Sequence, residues 1–284
     1  ACLTQVLVLP GGDAGLGHVG PIENTAFVLP AGVVATTRRI RRQGGESVLA
    51  MGSDPAVRCF PLMRESMKPY ILYGGTFSRA LGPQMVLEEA GLPYELRVVD
   101  MQNGEHRGEA FRKINPAGFT PALITPEGHA LHEAAGIMLY LADHHGLDLV
   151  PPPGDPLRGV MLAKFFYYTN DVQPAFKRFG YTERYVLREE DIPAARAQAR
   201  AAICDRLQIL EDWPQEHGPW HLGERFSIAD LHLALWASYG LENPENIVEA
   251  FPAIGRVRAG VLARPKSGPL LQNLIDYMYE RRKT

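Results

Sequence analysis

Asn115-Pro116-Ala117-Gly118-Phe119-Thr120-Pro121-Ala122-Leu123 is the most specific local run in this 284-residue chain. Pro121 stands at the mouth of a short apolar segment. It cannot donate to a strand ladder there, and a proline just before a strand start is a common place for a cis peptide. A cis Pro121 turns the Thr120 backbone outward, so that its N–H and C=O can pair with an extended ligand as an added strand would. Immediately downstream, Ala122 to Thr125 and His129 to His132 are short strands separated by the turn signal Pro126-Glu127-Gly128, which predicts an antiparallel hairpin. Glu133 then opens a helix reaching to about His145. Upstream, Tyr70 to Tyr73 is a short apolar β run, and Gly74-Gly75 leads into a helix from about Ala80 to Ala90 with Gly91 as its stop. Tyr94, Leu96 and Val98 alternate with Glu95 and Arg97, the period of a strand. Strand, helix and strand within about 30 residues form a βαβ unit, with parallel strands and a right-handed crossover.

Farther along, Val150-Pro151-Pro152-Pro153-Gly154-Asp155-Pro156 excludes helix and central strand and reads as an extended linker. Beyond it the strand signals stop. Residues 157–180, 190–217, 227–240 and 244–280 read as helices, with Ile203, Leu207 and Leu210 on one face of the second. The expected order is an α/β domain over 67–149, a linker over 150–156 and a helical domain over 157–284. Residues 1–66 differ in composition, with no Lys, Tyr or Trp and abundant Gly, Pro, Ala, Val and Arg. Their cluster Arg38-Arg39-Ile40-Arg41-Arg42 is basic, yet Asp13, Glu23, Glu46, Asp54 and Glu65 interrupt the segment, which argues against a transit peptide. We expect an irregular or disordered extension ahead of a protein that begins at Met67.

With 46% hydrophobic and 21% charged residues, the chain has ordinary globular usage. A net charge of −3 gives no electrostatic footprint for nucleic acid. Cys2, Cys59 and Cys204 are odd in number and widely spaced, which fits neither a disulfide framework nor a zinc cluster and favours a reducing compartment such as the cytoplasm. No apolar run is long enough to span a membrane as a helix. No metal spacing appears either: His144 and His145 are adjacent, and His129 with His132 lacks acidic or Cys partners.

The run at 115–123, together with Leu131-His132-Glu133-Ala134 and Phe226-Ser227-Ile228-Ala229-Asp230, resembles the cytosolic glutathione S-transferase family. The three motifs fall in family order, and the resemblance covers essentially all of residues 67–284, with theta-like and bacterial serine-type members nearest in pattern. It implies a thioredoxin-like N-terminal domain, an all-helical C-terminal domain, glutathione as co-substrate, no metal, and a homodimer. Ser227 and Asp230 also have their own explanation as a capping box, which folds the helix and carries no chemistry.

The resemblance implies a set of binding residues. Glu133 matches the acidic residue that holds the γ-glutamyl end of glutathione. Ala134 replaces the Ser that usually follows it, at a cost of about 1 kcal/mol of binding for the missing hydroxyl. His106 stands where theta-like members place a His against the glycyl carboxylate. Phe119, Thr120 and Pro121 flank the cysteinyl backbone.

The thiolate needs a donor between the first strand and first helix, because a free cysteine thiol has a pKa of about 8.5. Tyr73, Thr76, Ser78 and Arg79 lie there. Counted back from Leu87-Glu88-Glu89-Ala90-Gly91, Ser78 falls at the theta-like catalytic Ser, and it is preferred. Tyr73 falls at the tyrosine-type position, Thr76 stays open, and Arg79 falls where cysteine-type members carry Cys. The second substrate is expected to be an apolar electrophile held by aromatics of the first helix after the linker, Phe166 and Tyr167 with Phe165 and Tyr168. The expected activity is conjugation of glutathione to that electrophile in detoxification; the alternative is a non-catalytic relative that uses the fold for binding or assembly.

Overall fold

A computed structural model of the chain describes residues 19–28, 34–42, 47–52 and 68–281, Thr76 and Pro244 excepted. The chain divides into two units at Ser66/Met67, each described by itself. In the first unit, β1 (Val19–Val28), β2 (Val34–Arg42) and β3 (Ser47–Gly52) pair antiparallel in that order, Thr25 opposite Thr37 and Arg39 opposite Leu49. The irregular extension expected over 1–66 thus contains three strands. Most of the Pro and Gly residues that argued for irregularity fall outside the three strands, while Val, Thr and Ile within them favour the extended backbone.

The second unit opens with β4 (Tyr70–Gly74), α1 (Leu81–Ala90) and β5 (Tyr94–Val98), and β4 pairs β5 in parallel as the βαβ pattern requires. Gly91 ends α1 in the left-handed region, φ 59°, which a side chain rarely adopts. A short α2 (Glu109–Ile114) sits in the connector, where no helix was expected. The hairpin β6 (Ala122–Ile124) and β7 (Ala130–His132) follows, then α3 (Ala134–His144). Sheet order is β5-β4-β6-β7, with β6 antiparallel to both neighbours. Alternation along β4 sorts the core. Tyr70 and Leu72 join Leu81, Met85, Ile137 and Met138 beneath α1 and α3, whereas Tyr73 packs with Val99, Phe111 and Ala122 on the other side.

The Pro-rich run carries no helix or strand until α4 (Pro156–Tyr167), capped by Asp155, which accepts from the Leu157 N–H at 2.9 Å. Arginines fasten it: Arg158 donates to Asp143 at 2.7 Å and to the Pro151 carbonyl at 2.8 Å, and Arg225 bridges Asp148 and Asp155. The helix expected over 157–180 is interrupted by a π turn at Tyr168–Val172 before α5 (Gln173–Gly180). Next come α6 (Ile192–His217), which buries Ile203, Leu207 and Leu210, and α7 (Ile228–Tyr239). The expected helix over 244–280 is three: α8 (Asn246–Ala250), α9 (Pro252–Leu262) and α10 (Ser267–Glu280), broken near Pro252 and Pro265 as proline restricts the residue before it.

The capping box at α7 is formed, and its carboxylate does more. Asp230, fully buried, accepts from the Ser227 N–H at 2.9 Å, from the Ser227 hydroxyl at 3.0 Å and from the His221 N–H at 2.9 Å, with His221 Nδ1 at 3.2 Å. So many donors compensate the desolvation of one buried charge. The His221 ring in turn meets the buried Tyr168 hydroxyl.

Candidate functional site

Three chain segments meet at one crevice lined by Arg79, Asn115, Phe119, Thr120, Pro121 and Glu133. Its floor is the run that decided the fold. The Thr120–Pro121 peptide is cis. Asn115, buried at the end of α2, donates to the Phe119 carbonyl at 2.6 Å and accepts from the Ala117 N–H at 3.1 Å, so one side chain holds the loop shut. Gly118 is required on two counts: its φ is 64°, and a Cβ there would lie 3.0 Å from the His106 carbonyl.

Glu133 is the one non-glycine residue with positive φ among the described residues, φ 69° and ψ 113°, at the N-terminal cap of α3. Strain of this kind persists where the surroundings over-determine the backbone, and it concentrates at functional positions. Ala134 is buried in the first turn beside it. Burying an N–H there without a side-chain cap leaves the helix end suited to a ligand's anionic oxygen.

The β4–α1 loop supplies the remaining wall. Ser78 is half-buried and committed to its own turn: its hydroxyl donates to the Gly75 carbonyl at 2.8 Å and accepts from the N–H groups of Gly75 (3.1 Å) and Ala80 (3.2 Å). Arg79 reaches across the crevice and donates from Nη2 to the Thr120 carbonyl at 3.2 Å. Tyr73 does not join this group. Its ring lies edge-on to Phe111 behind the sheet, and its hydroxyl accepts from Arg97 on β5 at 2.9 Å. Thr76 lies outside the described residues. His106 is buried beneath the Asn115–Thr120 loop, with Nδ1 unpartnered among the described residues.

The aromatics expected to hold the second substrate lie on α4 and at the π turn that follows it. Phe165 and Tyr168 are fully buried, Phe166 is exposed, and the charged neighbours of the half-buried Tyr167 are Asp171 and Arg206. α5 touches the crevice at Phe119, and α10 touches the β4–α1 loop at Phe77. The Lys177 ammonium stands over the Phe119 ring at 5.2 Å, and Tyr277 on α10 stacks on Phe77 at 3.8 Å, nearly coplanar at 3°. Tyr239, at the end of α7, is held above the ordinary phenol range by burial, against which the nearby Arg79 charge pulls downward. His232, one helical turn into α7, has its pKa pushed down to about 3, first by burial and then by the Arg79 charge. Its Nε2 accepts from Trp236 at 3.2 Å, so the neutral ring carries its proton on Nδ1. No periodic pattern marks these residues, because they meet only when loops from separate elements converge.

A larger groove of about 490 Å³, lined by Phe179, Arg196, Ala197, Arg200, Leu241 and Glu242, shares no residue with the crevice. Its arginines are occupied, Arg200 by Glu242 at 2.9 Å and Arg196 over the Phe179 ring. No cluster of His, Cys, Asp or Glu able to hold a metal occurs among the described residues, and none of their helices is long and apolar enough to cross a membrane.

Residues 78–144 match the family described as glutathione S-transferase, N-terminal domain, and residues 166–265 match glutathione S-transferase, C-terminal domain. The glutathione S-transferase GstA of Escherichia coli O157:H7 is 31% identical over 156 residues, 54% of this chain and 74% of that protein. The disulfide-bond oxidoreductase YfcG of Escherichia coli K12 is 27% identical over 193 residues, 66% of this chain and 87% of that protein. Among solved structures, a glutathione transferase homologue from Sulfitobacter with bound glutathione has a TM-score of 0.63 at 25% identity, covering 72% of this chain and 97% of its own.

Proposed function

Because this chain belongs to the glutathione S-transferase family, we propose that it binds glutathione in the crevice of Arg79, Thr120, Pro121 and Glu133 and joins the glutathione sulfur to an electrophile. The observation that carries this reading is the convergence of a cation, the Phe119–Pro121 backbone and a strained acidic helix cap, drawn from three separate segments, on one crevice. Each suits one part of the tripeptide. Glu133 takes the γ-glutamyl ammonium, with the Ala134 N–H for the adjacent carboxylate. The Thr120 N–H pairs with the cysteinyl backbone, flanked by Phe119 and Pro121, and the buried His106 serves the glycyl carboxylate. Residues 67–149 thereby form the glutathione domain, and residues 157–284, past the linker, the domain of the second substrate. The protein works as a cytoplasmic homodimer on the same reading, and detoxification is the role it fits.

The sulfur lies at the start of α1. Ser78 is the hydroxyl candidate, but its proton goes to the Gly75 carbonyl in the resting loop. Arg79, a fixed cation on the crevice wall, is the stronger anchor for a thiolate, since an adjacent positive charge favours the ionised form. Attack by the thiolate lone pair forms the carbon–sulfur bond, and the leaving group departs with its electron pair.

Titration of bound glutathione by thiolate absorbance, with turnover on an aryl halide, tests this. Arg79→Met raises the bound thiol pKa and lowers kcat/KM about tenfold or more, a loss of one charge-assisted contact. A larger loss in Ser78→Ala than in Arg79→Met assigns activation to the hydroxyl and rejects the arginine. Absence of glutathione binding by the wild type refutes the whole reading.

A further inference from the structure

Asn103-Gly104 is the one place in the sequence where a glycine follows an asparagine. The other asparagines precede Thr25, Pro116, Asp171, Pro244, Ile247 and Leu274, whose side chains crowd their own backbone nitrogen or, at the prolines, leave it without a proton. Asn103 lies exposed between β5 and the short helical turn at Glu105–Arg107. The Gly104 N–H has no partner among the described residues, and no atom stands within 4 Å of where a Cβ would be, so the nitrogen is open to attack a neighbouring carbonyl carbon. The Asn103 side-chain amide is held within the protein by a single bond, from Nδ2 to Asp100 Oδ2 at 2.6 Å. The same turn leans on the crevice floor. Asp100 closes it by accepting from the Asn103 N–H at 2.9 Å and, through its carbonyl, from the Glu105 N–H at 3.0 Å. His106 follows, buried, its carbonyl 3.0 Å from where a Gly118 Cβ would lie.

We propose that Asn103 is a site of spontaneous covalent modification, converted to aspartate or isoaspartate through a ring closed by Gly104, and that the conversion loosens the turn carrying His106. The Gly104 nitrogen loses its proton to solvent base, and its lone pair forms a bond to Asn103 Cγ. The Cγ–Nδ2 bond breaks and ammonia leaves, giving a succinimide. Water then adds at either ring carbonyl and opens the ring to aspartate or isoaspartate. The bond to Asp100 is exposed and solitary, so it slows ring closure by no more than about tenfold. After conversion a carboxylate replaces the donor that faced Asp100, setting like charges against each other, and the isoaspartyl link adds a methylene to the backbone inside the turn. The modification stands without the glutathione reading; only its effect on binding rests on that reading.

Full-length protein kept in warm, mildly alkaline buffer, then digested and mapped by mass spectrometry with isoaspartyl methyltransferase labelling, tests this. Asn103 is expected to convert about tenfold or more faster than any other asparagine, and within about tenfold of its rate in a peptide spanning residues 98–107. Asn103→Gln, whose longer side chain disfavours the ring, removes the labelling at this position. Conversion slower than that range, or faster at another asparagine, overturns the site. The converted fraction carries an added negative charge and separates by anion exchange. Calorimetry is expected to show its glutathione affinity about threefold or more below that of the intact chain and of Asn103→Gln. A smaller change overturns the link to the His106 turn. If the intact chain itself binds no glutathione, the glutathione reading falls, while the mass map still decides the modification.

Discussion

His232→Gln removes a proton-binding group that the fold keeps neutral. The ring is 1% exposed, edge-on to Phe165, and within reach of the Arg79 charge, and its pKa stands at about 3 in the folded chain. In the unfolded chain a histidine titrates near pH 6.5. The folded pKa is depressed, so the associated stability is fully present above about pH 6.5 and is lost as pH falls from there toward about 3. Near pH 5 the unfolded state gains about 2 kcal/mol from binding this proton, by RT ln(1 + 10^1.5), and the figure barely changes for any folded pKa below about 4. Gln keeps an acceptor for the Trp236 N–H, and its packing loss appears at both pH values and cancels. Urea unfolding near pH 8 and near pH 5 is expected to show the wild type losing about 2 kcal/mol more than the variant between the two. Parallel losses in the two proteins refute a neutral, buried His232.

Glu133→Ala is expected to weaken glutathione about tenfold by calorimetry, one charge-assisted contact, while an unchanged affinity removes Glu133 from the site. Tyr73→Phe breaks only the bond from Arg97 on the far side of the sheet, so turnover stays within about twofold and stability falls by less than about 1 kcal/mol. A collapse in turnover moves catalysis to that tyrosine. Arg264→Met leaves Glu89 of α1 without its paired guanidinium and costs about 2 kcal/mol in urea unfolding. Burial raises the Glu89 pKa, but the bonds from Arg264 and Ser267 outweigh it and hold it below the ordinary value. That contribution is present above about pH 4.5 and lost as pH falls, so acid unfolding of the variant should be shallower in that range.

The order of elements in residues 67–284 was legible because each carries a local signature. Alternation marks β5, the turn Pro126-Glu127-Gly128 marks the β6–β7 hairpin, Gly91 ends α1, and Ser227 with Asp230 opens α7. What was misread lacked such a signal or carried a conflicting one. The single helix expected over 244–280 breaks at Phe251 and again past Leu262, and the Val- and Thr-bearing strands between residues 19 and 52 were hidden by the Pro and Gly around them.

Glu133, Thr120 and Pro121 were legible as candidates because each sits in a motif whose local chemistry suits a ligand, and the fold brings the three to one crevice. Others were decided only by tertiary structure. Tyr73 and Ser78 are five residues apart, yet strand alternation sends the tyrosine behind the sheet to Arg97, while the turn takes the Ser78 proton for Gly75. Arg79 looked like a missing cysteine and proves to be a cation aimed at Thr120. That Lys177 stands over Phe119 and Tyr277 stacks on Phe77 had no signal in the sequence. Sequence by itself determined the elements and the glutathione-family motifs, since hydrogen bonding and periodicity act within a few residues. Which side chains face one another across the two layers follows from how helices from distant parts of the chain bury their apolar faces, and that only the folded structure decides.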